Sequence, residues 1–198
     1  LSVLEQGFIY SIMALGMYIT YKILDFPDMT VDGSFPMGAA ITAVMISKGA
    51  LPALTLPICF LAGAVIGMLT GLIHVKFKVR DLLSGIIMMT ALYSLNLAIA
   101  GRANLPIYNM QTIFDNVFFD AMMPEWLKEY QTVIVVALIA VLVKVILDAY
   151  LATKSGYLLR AVGDNETLVT SLGKDKGFVK IVGLSIANGM VALSGCIF

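Results

Sequence analysis

Three carboxylates, Asp25, Asp28 and Asp32, stand within eight residues and alternate with the hydroxyls of Thr30 and Ser34. They belong to the stretch Leu24 to Ala40, LDFPDMTVDGSFPMGAA, which lies between two strongly apolar runs. Pro27 and Pro36 each lack a backbone donor and push the preceding residue away from the helical region. Gly33 and Gly38 loosen the backbone further. In lipid, a chain that breaks its helix must satisfy the freed amide and carbonyl groups from protein or water, so broken segments line cavities or paths. Thr30, Asp32 and Ser34 are all good helix N-caps, and Ser34 is placed to start a short helix from Phe35 to Ile46. One reading is an unwound segment and a half-helix beside a permeation pathway lined by Asp25, Asp28, Thr30, Asp32 and Ser34. The other is a plain loop between two spans, punctuated by its prolines.

The remaining candidates for chemistry are mostly negative. No GxxxxGK[ST] occurs, so nucleotide hydrolysis by that route is not expected. His74, the single histidine, ends an apolar run without Cys or His company, so it reads as an interfacial residue and no metal site is expected. Ser171-Leu172-Gly173-Lys174 matches SxxK and Lys154-Ser155-Gly156 resembles a KTG box, but their order is wrong for serine acylases. No catalytic residue and no cofactor is expected. Asn96 and Asn188 lie deep in apolar runs; each either lines a path or bonds a neighbouring helix. Lys144 and Asp148, four residues apart, are expected to pair. Cys59 and Cys196 read as small buried hydrophobes rather than a disulfide.

The elements that must position these groups follow from composition. Of 198 residues, 60% are hydrophobic and 13% charged, against about 45–50% and about 25% in soluble domains. The chain is therefore read as an all-α polytopic membrane bundle, a single transmembrane domain over residues 1–198. Zero net charge offers no argument for nucleic acid. Candidate spans, at about 20 apolar residues each, are Val3–Leu24, Leu54–Val75, Leu82–Ala100, Gln131–Tyr150 and Phe178–Phe198, with Ser34–Ser47 too short to cross alone. The chain starts at Leu1 rather than Met and stops within an apolar run, so further C-terminal spans are expected. Gly63, Gly67 and Gly71 form two overlapping GxxxG motifs, which permit close helix approach, either within the subunit or at a homodimer seam.

Basic residues set the expected orientation. The loops His74 to Asp81 and Leu151 to Gly177 carry Lys76, Lys78, Arg80, Lys154, Arg160, Lys174 and Lys176. They are expected to be cytoplasmic, with the N-terminus and the acidic stretch Gly101 to Tyr130, including Trp126, outside. In the second loop, Asp164 or Asn165 can cap a helix from Glu166 to Leu172 that Gly173 ends. Such a helix either docks in a groove of a cytosolic partner or is a plain surface helix.

Gly156-Tyr-Leu-Leu-Arg160-Ala-Val-Gly163-Asp164-Asn165, Ser171-Leu-Gly173 and the run from Ser185 to Gly195 resemble permease subunits of binding-protein-dependent ABC importers, the branched-chain amino acid and sugar permease family. DFPDMTVDGSF resembles the tryptophan/tyrosine-type branch more narrowly. The resemblance covers essentially the whole chain and implies a multi-pass subunit of the bacterial plasma membrane. It implies a cytosolic ABC ATPase subunit, a second permease subunit and an extracytoplasmic solute-binding protein as partners, with membrane lipid around the bundle. It also implies an amino-acid-like solute, and a coupling segment carrying Arg160, Gly163, Asp164, Asn165, Glu166 and Gly173. A methionine-rich path through Met29, Met37, Met88 and Met89 would suit aromatic solutes, although methionine also fills cores. An ion-coupled secondary transporter and a structural membrane protein without transport are the alternatives.

Overall fold

The computed structural model describes residues 2–101 and 130–198. Helix α1 (Ser2–Met17) runs on into a π-helical turn, Tyr18–Ile23. After a break come α2 (Val31–Ser47), α3 (Pro52–Phe77), α4 (Asp81–Ala100), α5 (Gln131–Leu151), α6 (Lys154–Asp164), α7 (Glu166–Ser171) and α8 (Lys176–Ile197). Five of these segments are long and apolar enough to cross a membrane, Ser2–Ile23 among them, while α2 is shorter. The chain is an all-α polytopic membrane bundle, and the spans lie close to where composition put them. Trp126 and the rest of the acidic stretch fall at 102–129, outside the described residues.

Helix α8 is the centre. Two thirds of its span (67%) is buried, against 22–33% for the other four. It packs against α1, α2 and α3. Lipid supplies no hydrophobic drive for this, so close packing must come from small residues. Gly63 and Gly67 of α3 lie against the carbonyls of Asn188 and Leu184, and Gly38 of α2 lies against that of Ala192. The GxxxG face is thus used within the chain. Cys59 and Cys196 are free and buried.

The break is made locally. Leu24 N–H donates to Ile19 O (3.0 Å) and Phe26 N–H to Thr20 O (2.9 Å), longer loops than the α-helical bond. Asp25 then takes a left-handed conformation, φ +50°, which Asp tolerates better than most residues. Pro27 follows, where no backbone donor is available.

Two expectations are corrected. The second helix starts at Val31, not Phe35, and Ser34 does not cap it. Pro36 sits inside this helix; it removes the bond to Asp32 O, and packing of α2 on α8 and α4 holds the helix across the gap. The loop after α5 also holds a helix that was not expected, α6, capped by the Thr153 hydroxyl accepting from Gly156 N–H at 3.4 Å. Gly156 and Gly163 obscure it. The signal that reveals it is Leu159 and Val162, three apart and both buried.

Candidate functional site

The three carboxylates part ways. Asp28 is 1% exposed, whereas Asp25 and Asp32 face outward. One oxygen of Asp28 accepts from the Thr30 N–H at 2.9 Å, a local Asx turn that shapes the re-entry into α2. The other accepts from Asn188 Nδ2 at 2.7 Å. The same amide donates to Leu184 O (3.1 Å) and accepts on Oδ1 from the Ser34 hydroxyl (2.7 Å). Asn188 and Ser34 are fully buried. One amide in α8 therefore ties the break to the first turn of α2.

Asn188 is the thirteenth residue of α8 (Lys176–Ile197), so at 1.5 Å per residue it lies ~18 Å along the helix, near mid-span. Around it, the hydroxyls of Thr30 and Thr70 are 3.1 Å apart, and Thr70 donates to Ile66 O. Asn96 of α4 donates to Gly33 O at 3.0 Å, while its own Oδ1 is buried with no partner among the described residues. Gly85 lets α4 approach the Met29 backbone: a Cβ there would lie 2.7 Å from Met29 N. Of the seven predicted path residues, Asp28, Thr30, Ser34 and Asn188 are joined by hydrogen bonds and Asn96 reaches them through Gly33 O, whereas Asp25 and Asp32 face outward. Of the four methionines, Met37 and Met88 are core and only Met29 and Met89 are exposed.

Helix α6 packs directly on the break. Gly163 lies against Ile23 O and the Leu24 backbone, closer than any side chain would permit. Leu159 is fully buried and meets Leu24 over Gly183 of α8. Arg160 and Asp164 point away and are exposed. Asn165 Oδ1 accepts from Thr167 N–H (3.0 Å) and so caps α7, and Gly173 follows it with φ +71°.

Glu166 pins α7 to the start of α8 through Lys176 (2.8 Å) and Lys180 (2.5 Å). These two hydrogen bonds lower its pKa from 4.5 to about 2. Lys180 also approaches His74 Nε2 (3.5 Å), and His74 Nδ1 meets Val79 O (2.9 Å) and Asp81 (3.1 Å). The His74 ring stands edge-on to Phe26 of the break at 5.1 Å. Thr70, His74 and Lys180 were not expected at this site; the sequence offered only their polarity within apolar runs. Lys144 and Asp148 pair at 2.5 Å as expected, on the exposed side of α5.

A cavity of about 800 Å³ between α3, α5 and α8 is walled by apolar side chains such as Phe60, Leu142 and Met190, with no predicted site residue. A smaller one, about 450 Å³, lies beside the break and is lined by Pro27, Arg80, Asp81, Leu82, Leu83 and Ile86.

The family model for the permease component of branched-chain amino acid transport systems matches residues 1–198, and the chain belongs to that family. It is 44% identical over 195 residues to the tyrosine transport system permease protein of Clostridioides difficile, covering 98% of this chain and 62% of that protein. It is 35% identical to an uncharacterized protein of Rickettsia prowazekii (98% and 65% covered). It is 25% identical to a Methanocaldococcus jannaschii protein named a probable branched-chain amino acid transport permease (98% and 64%). The chain spans less than two thirds of the length of these relatives. No solved structure matches it.

Proposed function

We propose that this family member forms the solute path of an ABC importer, with the break from Leu24 to Thr30 as its moving part and α6–α7 as the segment that couples it to a cytosolic ATPase. The observation that carries this reading is the seat of Gly163 against Ile23 O and Leu24. A push on α6 reaches the break through backbone contact, with no flexible side chain between to absorb it. At the break, Asp28, Asn188 and Ser34 form a hydrogen-bonded cluster, and exchanging those partners for others would give the second arrangement that a two-state element requires. Asp32 supports a watery path: its exposed carboxylate sits in the first turn of α2, two residues before Ser34, which is level with mid-span Asn188. A carboxylate at that depth faces water or a partner, not lipid.

In this reading the basic loops 74–81 and 151–177 face the bacterial cytoplasm and the N-terminus lies outside. The chain of polar contacts from Asp81 through His74 and Lys180 to Glu166 supports a common end for both loops. A second permease subunit completes the path, and an extracytoplasmic binding protein delivers the solute. An amino acid, aromatic in type, is the solute this reading favours, in line with the name of the Clostridioides difficile relative.

The test is co-purification of the full-length protein with its ATPase subunit, comparing the wild type with Arg160→Glu plus Asp164→Arg. Both side chains are exposed on α6, so the variant is expected to insert and fold while the complex is lost. Failure of the wild type to hold the ATPase would refute the reading.

A further inference from the structure

We propose that one face of α4, from Ile86 through Thr90, Tyr93 and Ser94 to Leu97, is a water-facing wall of the solute path, and that Tyr93 and Ser94 receive a small solute bearing a planar apolar group. This rests on the reading that the chain conducts solute, and deepens it. The opposite face of α4 is fully used: Gly85 backs onto Met29, Leu92 is buried against Gly33, and Asn96 donates to Gly33 O. Helix α4 is therefore held to the break, and what its other faces meet must be read from their chemistry.

Those faces differ. Ile87, Ala91, Leu95 and Ala98 form a wholly apolar exposed flank, suited to lipid. Next to it, Ile86, Thr90, Tyr93 and Leu97 recur at helical spacing, with Ser94 beside them. Tyr93 is 76% exposed. It is the thirteenth of the 20 residues of α4 (Asp81–Ala100), which puts it ~18 Å from the helix start, near the middle of a core ~30 Å thick. Tyrosine in membranes favours the headgroup level, where its hydroxyl is wet; here it is at mid-depth. Thr90 satisfies its hydroxyl on Ile86 O at 2.9 Å, as serine and threonine in lipid commonly do. The hydroxyls of Tyr93 and Ser94 make no hydrogen bond among the described residues. Two hydroxyls at mid-span with no partner among the described residues call for water or a polar ligand.

The stripe also leads somewhere. Ile86, its first residue, lines the 450 Å³ cavity that Pro27 of the break shares. A solute leaving the stripe would enter a space bounded by the segment proposed to move. An exposed tyrosine ring offers a face for stacking a planar group or for an ammonium, and the Tyr93 and Ser94 hydroxyls offer donors and acceptors for polar ends.

The experiment uses the full-length protein with its ATPase and binding protein in vesicles. Single cysteines replace Tyr93, Ser94 or Thr90, with Ala91→Cys and Leu95→Cys as controls; native Cys59 and Cys196 are buried. Labelling by a membrane-impermeant charged thiosulfonate is expected to be about tenfold faster on the stripe than at the controls, because the thiolate forms and is reached only in water. Tyrosine is the probe solute and should slow labelling at positions 93 and 94. Tyr93→Leu is expected to raise the KM for tyrosine more than that for an aliphatic amino acid, and Tyr93→Phe to lie between. Equal labelling at 91, 93, 94 and 95 would overturn the proposal, as would Tyr93→Cys that cross-links between two copies without labelling, since the face is then an interface. ATP-driven uptake by the wild type is read in the same vesicles. Uptake without stripe labelling removes the wall alone; labelling without ATP-driven uptake keeps the wall and removes the importer reading.

Discussion

Replacing Asn188 by Leu keeps the side-chain size and removes three hydrogen bonds at once. The amide donates to Asp28 at 2.7 Å and to Leu184 O at 3.1 Å, and accepts from Ser34 at 2.7 Å. With leucine there, one Asp28 oxygen and the Ser34 hydroxyl lose their partners while remaining buried. Each stranded group costs about 1–3 kcal/mol. Interhelical hydrogen bonds in membranes average only about 0.6 kcal/mol because the loosened state finds other partners, so a total of about 2–5 kcal/mol is expected. Asp28→Asn should be milder, about 1–2 kcal/mol. The new amide can keep its oxygen on the Thr30 N–H and turn its NH2 toward position 188, where Asn188 flips to present Oδ1 and offers its own NH2 to the Ser34 oxygen. Only the hydroxyl proton of Ser34 and the Leu184 carbonyl then need new partners. The assay is thermal unfolding of the full-length protein in detergent, with Asn188→Leu, Asp28→Asn and the double variant forming a cycle. Strong non-additivity is expected, because one amide serves both sides. Equal loss from the two single variants, or additivity, would refute the account of Asn188 as the bridging group.

Gly163→Ala sets a methyl group against Ile23 O; transport should fall at least about tenfold, a barrier change of about 1.4 kcal/mol, while insertion and ATPase binding persist, read by uptake and co-purification. Gly67→Ala forces α3 off Leu184 of α8 and should destabilise by about 1–3 kcal/mol or more, whereas Gly7→Ala, with nothing within 4 Å, should stabilise α1 by up to about 1 kcal/mol; thermal unfolding separates the two. The Glu166 pKa is lowered from 4.5 to about 2 by Lys176 and Lys180. Since the folded value is the lower one, its stabilisation is complete above 4.5 and lost as pH falls toward 2. Protection of the α7 amides, corrected for the intrinsic pH dependence of exchange, should hold from neutral pH down to 4.5 and fall below it, and Glu166→Gln should lower it above 4.5 with the gap closing toward pH 2.

What the sequence makes legible depends on which contrast lipid imposes. The ends of apolar runs mark where chain meets water, so Pro52–Phe77 and Gln131–Leu151 are bounded to within two residues by composition. Faces are harder. Lipid is as apolar as the interior, so a spanning helix is hydrophobic all round and its buried stripe leaves little periodic trace. Only exceptions speak: the small residues Gly63, Gly67 and Gly71, which must sit where backbones touch, and the polar residues Asn188 and Asn96, which must find partners. The break escapes even this, because an irregular segment has no period to say that Asp28 turns inward while Asp25 and Asp32 turn out. Helix α6 was hidden for the opposite reason. Its glycines read as loop signals, yet Gly163 is the residue that lets α6 touch the break. A glycine inside a helix marks flexibility when its surroundings are open and close approach when they are full, and the sequence does not distinguish the two. The contact proposed to carry force between the inner face and the path therefore sits where local sequence preference points away from a helix. Such conflict between local preference and fold is expected where function, rather than stability, has chosen the residue.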